Sequence, residues 1–87
     1  MTSLADCTIN ARGINHVYNG IYWYDQYYVT VTATVYDYNV IISTVKNGVI
    51  YNERTVLVYA GMTTTIYAYP SQYPGEYTYY VNYEIAQ

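Results

Sequence analysis

The sequence predicts an all-β protein: an antiparallel sandwich of about seven short strands in a single domain. Three observations carry this expectation. Alternation of period two runs through most of the 87 residues, and no helical periodicity accompanies it. Turn signals recur roughly every 8–12 residues, the clearest being Asn47-Gly48 between two β-branched runs. Residues that pack well on a pleated surface dominate, with sixteen tyrosines and no phenylalanine.

The first strand is "LADCTINAR". Ala5, Cys7, Ile9 and Ala11 alternate with Asp6, Thr8, Asn10 and Arg12, and Gly13 closes the run. "GIYWYDQYY", residues 20–28, then packs five aromatic rings around one charge, Asp25. On a strand Tyr22, Tyr24 and Tyr28 share one face, while Ile21, Trp23 and Tyr27 share the other. Trp gains most from burial, so Trp23 and Ile21 are expected inside and Tyr22 and Tyr24 outside.

"YYVTVTATVYDY", residues 27–38, gives the plainest alternation. Tyr27, Val29, Val31, Ala33 and Val35 point to a core; Tyr28, Thr30, Thr32, Thr34 and Tyr36 point outward. Asp37 closes this strand, where its side chain can accept from nearby backbone. "NVIISTVKNGVIYNERTVLVYAGMTTTIYAY" reads as strand, Asn47-Gly48 turn, short strand, strand, Ala60-Gly61 turn, strand. "PSQYPG" is a loop, because its prolines cannot donate to a ladder. In "EYTYYVNYEIA", Tyr77, Tyr79, Val81, Tyr83 and Ile85 form one face, and Thr78, Tyr80, Asn82 and Glu84 the other. The predicted core contains Val29, Val31, Val35, Ile66 and Val81. Gly13, Gly20, Gly48, Gly61 and Gly75 are spaced as turn residues and form no phosphate cradle.

From Tyr27 onward the order of features resembles the CARDB-like branch of immunoglobulin-like and fibronectin-like sandwiches. The matching pieces are "VTVTATVYDYN", "VIISTVKNGVIYNERTV", "VYAGMTTTIYAY" and "YPGEYTYYVNYE". In that family a V-x-V-x-V strand runs into a polar turn, a Gly precedes a Ser/Thr-rich strand, and the last matched element begins Gly-x-Tyr. The resemblance implies an immunoglobulin-like binding or spacer module with no catalytic residues. Such domains continue into one more strand, whereas this chain stops at Gln87. The expectation is an open sheet edge, filled either internally by "HVYNGIYWYDQ" or by another subunit, with "ADCTINARG" as the donated strand.

Composition narrows the function. Apolar residues make up 53% of the chain and charged residues only 10%, with a net charge of −3. Arg12, Lys46 and Arg54 are the whole positive complement, so nucleic acid has no electrostatic footing. No apolar run is long enough to span a membrane, and "MTSLADC" lacks the basic and apolar regions of an export signal. Cys7 has no partner for an internal disulfide and is in phase with an apolar face, so it is expected to be buried.

Enzymatic chemistry is poorly supplied. His16 is the single histidine and reads as a turn or surface residue. Cys7 with His16 lacks an orienting group or oxyanion hole, and no serine sits in a nucleophile elbow. Asp6, Asp25, Asp37, Glu53, Glu76 and Glu84 are scattered; Asp25, Asp37 and Glu76 could hold calcium only by meeting at one end of the sandwich. No catalytic residue, cofactor or metal site is therefore expected.

The tyrosines point to recognition. Tyr22, Tyr24, Tyr28, Tyr36 and Tyr80 are the expected contact residues, since rigid rings with polar tips suit protein interfaces. The expected function is a structural or assembly module of a filament, virion coat or cell-surface layer, partnered by itself or another structural protein. The alternative is a carbohydrate-binding module using the same Tyr and Trp rings.

Overall fold

A computed structural model describes residues 6–69 and 76–86; the predicted "PSQYPG" loop lies outside them. Six strands run through the described residues: β1 (Cys7–Tyr18), β2 (Trp23–Ala33), β3 (Tyr38–Lys46), β4 (Val49–Val58), β5 (Thr63–Tyr67) and β6 (Thr78–Ile85). They build two three-stranded antiparallel sheets, ordered β1-β2-β5 and β4-β3-β6. The all-β, two-sheet expectation holds. Among the described residues there are six, and residues 49–58, read as two short strands, form one of them.

The central strand β2 organises the first sheet. Its inward residues Asp25, Tyr27, Val29, Val31 and Ala33 are buried, and the intervening Gln26, Tyr28, Thr30 and Thr32 are half-buried. Facing them, β3 contributes Tyr38, Val40, Ile42 and Thr44, while Cys7, Val58, Ile66 and Ala68 complete the buried set. Each such aliphatic side chain contributes about 1.5–3 kcal/mol on leaving water. Tyr79, Val81, Tyr83 and Ile85 of β6 pack along the flank, half-buried, as their alternation predicts. Tyr27 and Tyr79 stack across the two sheets with centroids 4.7 Å apart and planes 3° from parallel.

Of the predicted core residues, Val29, Val31 and Ile66 are buried and Val81 packs against them. Val35 does not: it is 58% exposed. The alternation that placed it inside stops at Ala33, whose N–H donates to Met62 O (3.1 Å) and whose carbonyl accepts from Gly61 N (2.9 Å). Thr34 N–H is held by Asp6 O at 2.9 Å. Beyond this anchorage the chain turns away, crosses to the second sheet and leaves Val35 in the corner. Asp37 serves the corner as its position suggests, its Oδ1 accepting Ala60 N–H at 2.8 Å.

Strand β1 is longer than the sequence suggests. Gly13 is not a turn residue; it lies mid-strand opposite Tyr28, and the ladder continues to Tyr18 paired with Trp23. An atom added as a side chain at Gly13 would meet the Tyr28 ring at 3.0–3.2 Å, so the missing Cβ lets that ring lie across the edge strand. Ile9 pairs with Val31 and Ala11 with Thr30, which makes Asn10 a bulge. From there the phase inverts: Ala11 faces outward, and Arg12, Ile14, His16 and Tyr18 take the inward side. From Cys7 onward "ADCTINARG" is thus engaged with the chain's own β2, its Ala5 lying outside the described residues, and "HVYNGIYWYDQ" forms the end of the same hairpin rather than a strand beside β6.

Asn47 (φ 53°) and Gly48 (φ 77°) form the two-residue β3–β4 turn, the left-handed pair that matches strand twist. On the outer face of the first sheet the threonines pair across strands, Thr30 with Thr65 at 3.0 Å and Thr32 with Thr63 at 2.8 Å. The molecule measures 45 × 26 × 18 Å with a radius of gyration of 14.0 Å. A compact chain of this length would give about 12 Å.

One core group is unsatisfied. Thr44 is 1% exposed and its hydroxyl has no hydrogen-bond partner among the described residues. Thr44→Val keeps the shape and removes the stranded hydroxyl. It should stabilise the fold by about 1 kcal/mol and raise the unfolding midpoint by about 4–8 °C, read by thermal denaturation.

Candidate interaction surfaces

The elongation has a local origin. The β1–β2 hairpin outruns the second sheet, because β3 reverses at Asn47-Gly48 while β2 extends back past the Tyr27–Tyr79 stack to Trp23. Asn19 builds the hairpin end: its Oδ1 accepts the N–H groups of Ile21 and Tyr22, both at 2.9 Å, and Gly20 supplies φ 98°. The side-chain acceptor satisfies two donors that the turn would otherwise expose.

The expectation that Trp23 and Ile21 are buried is overturned: they are 58% and 84% exposed. Trp23 does point to the inward side, but among the described residues the second sheet leaves it exposed. Ile21 sits in the turn itself. Tyr18 packs on Trp23 at 5.3 Å and Tyr22 edges against Tyr24 at 6.5 Å, and Ile14 adds another exposed apolar chain on the inward side. Ile14 and Tyr18 were not picked out from the sequence. Their signal was hidden by the Asn10 bulge, which reverses the alternation.

The five tyrosines expected to form one contact face are dispersed. Tyr22 and Tyr24 stand together on the hairpin. Tyr28 is half-buried over Gly13 and tilted against Tyr67 at 6.3 Å. Tyr36 is exposed in the β2–β3 corner, at the far end of the sheet, and Tyr80 is exposed on the outer face of the second sheet.

Behind the hairpin end lies a buried carboxylate. Asp25 is 3% exposed and its Oδ1 accepts from His16 Nδ1 at 2.5 Å. The two are paired across β1 and β2: His16 is a surface residue, as the sequence suggests, with its side chain 67% exposed, and its ring nitrogen reaches the internal acid. Cys7 lies nine residues along the same strand, about 30 Å from His16. That distance separates the only thiol from the only imidazole, and burial pushes the Cys7 thiol up, away from thiolate reactivity.

The carboxylates do not converge. Asp37 is at the opposite end of β2 from Asp25, and Glu76 pairs with Lys46 at 2.9 Å, a bond that raises the lysine pKa. No group of three His, Cys, Asp or Glu residues that could hold a metal occurs among the described residues. Two of the three cations are likewise engaged within the chain: Lys46 lies 5.6 Å from the centre of the Tyr77 ring, and Arg54 donates to Tyr67 O and lies 5.7 Å from the Tyr69 ring.

A shallow groove of about 390 Å³ crosses the outer face of the second sheet, lined by Ser43, Val45, Gly48, Ile50, Glu53, Tyr80 and Asn82. Ser43 pairs in register with Glu53 on one side and Tyr80 on the other, and its hydroxyl donates to Glu53 Oε2 at 3.1 Å.

No family model matches the chain, and neither curated proteins nor solved structures give a match.

The His16–Asp25 pair makes a direct prediction. His16→Ala removes one partner from a carboxylate that water barely reaches. Stability should fall by about 1–2 kcal/mol, seen as a lowered thermal midpoint, with the sheets otherwise unchanged by circular dichroism.

Proposed function

We propose that the chain is a non-enzymatic assembly module that associates with a second copy of itself through the aromatic end of the β1–β2 hairpin. The observation that carries this reading is the projecting cluster of Tyr18, Ile21, Tyr22 and Trp23, all exposed on an element that leaves the core. Rigid aromatic side chains give large contact area at small entropic cost, and they dominate the energetics of protein contacts. The low charge favours the same reading, because little repulsion holds copies apart.

The finer assignment is an immunoglobulin-like sandwich. It is supported by the strand order, β1-β2-β5 against β4-β3-β6, which follows the A-B-E and C′-C-F arrangement of that fold. In this reading β6 takes the place of strand F and pairs among the described residues with β3 alone. Its free edge favours a second mode of association, addition of an extended strand beside β6.

Sedimentation velocity over a wide concentration range tests the proposal. The native chain should associate with rising concentration, and Ile21→Ser combined with Trp23→Ser should weaken this at least about tenfold with an unchanged melting temperature. A native chain that remains monomeric throughout would overturn self-association. Association that survives the double substitution would move the contact to the β6 edge.

A further inference from the structure

The geometry points to a saccharide-binding site in the groove across the outer face of the second sheet, with Tyr80 as the stacking ring and Glu53 and Asn82 as the hydrogen-bonding groups. This inference is independent of the hairpin contact of the assembly reading, which lies on the other sheet.

The site follows from register. Glu53 of β4, Ser43 of β3 and Tyr80 of β6 form one row across the sheet. With strands about 4.8 Å apart, the carboxylate and the ring stand on backbones about 10 Å from each other, above a floor set by a small serine. The next row carries Ile41 with Asn82, and the preceding one Val45 with Ile50. The groove is therefore polar at Glu53 and Asn82, aromatic at Tyr80 and aliphatic at Val45 and Ile50. Its volume of about 390 Å³ lies at the small end of ligand sites, about 300–1,000 Å³.

The unspent bonding capacity decides the ligand class. Glu53 accepts from Ser43 through Oε2, a carboxylate has further acceptor sites beyond that one bond, and the exposed Asn82 lines the groove beside it. Tyr80 is 55% exposed. An apolar side chain seated here would cover the carboxylate and amide without partners, which is costly. An anion would meet Glu53 with none of Arg12, Lys46 or Arg54 lining the groove. A metal ion would find a single carboxylate. A neutral sugar fits all three regions: its hydroxyls donate to Glu53 and exchange bonds with Asn82, and the C–H face of its ring lies on Tyr80.

Affinity electrophoresis of the full chain tests the inference, in gels cast with a soluble β-glucan, mannan, galactan or xylan and with dextran sulfate as the polyanion control. At least one neutral polymer should retard the protein. Tyr80→Ala and, separately, Asn82→Ala should each raise the apparent dissociation constant about tenfold. Both residues are exposed, so their variants should melt as the native chain does. Ile21→Ser with Trp23→Ser should leave retardation unchanged, which separates this site from the association surface. The inference is overturned by no retardation in any neutral polymer, by retardation in dextran sulfate alone, or by binding that survives both groove substitutions. Loss of binding in the hairpin variant would overturn it too, since the sugar would then lie on the hairpin rings.

Discussion

The parallel stack of Tyr27 on Tyr79 marks a boundary on which the rest of the molecule depends. On one side of it the two sheets enclose an aliphatic interior of Val29, Val31, Val40, Ile42 and Val58. On the other side β2 continues past the buried Asp25 to Trp23, whose inward-pointing ring is exposed. A tyrosine pair suits that boundary because each ring is apolar toward the core while its hydroxyl can meet water. The hairpin beyond is thus a continuation of a core strand, stiffened by eleven paired residues of β2 yet exposed at its tip.

The chain's few charged groups are largely spent on internal fastening. Asp25 is capped by His16, Glu53 is oriented by Ser43, Glu76 is joined to Lys46, and Arg54 ties β4 to the carbonyl of Tyr67 on the other sheet. Asp37 holds the backbone of the following turn. With charge used in this way, the outer contacts available to the molecule are made mainly by rings, threonine hydroxyls and amides, with Glu53 as the charged exception in the groove. Such contacts are short-ranged and depend on shape, and they respond weakly to salt compared with a charged surface.

Sequence reading succeeded where a strand keeps one phase between two neighbours. β2 from Tyr27 to Ala33 and β6 from Thr78 to Ile85 show the faces that their alternation predicts, and Asn47-Gly48 turns as its composition requires. Reading failed where a fact outside the strand decides the outcome. Val35 continues the alternation of β2 in letters, but Ala33 and Thr34 are tethered to other segments and the strand stops. Trp23 was assigned the correct side; what alternation cannot report is how far the opposite sheet reaches. The groove residues Ser43, Glu53 and Asn82 were also invisible as a group, because they come together only when three strands are aligned in register.

The bulge at Asn10 carries a consequence for how this hairpin can vary. A single extra residue works as a parity switch: the segment before it and the segment after it present odd and even positions, respectively, to the same side. Loss of Asn10 alone would join Ile9 to Ala11 opposite the consecutive partners Val31 and Thr30, so the imidazole would stay opposite the internal carboxylate and Ile14 and Tyr18 would keep their side. The bulge is therefore the one place in this strand where a single residue can be lost with every facing kept, whereas a single deletion elsewhere between Ala11 and Tyr18 would reverse the residues on one side of it.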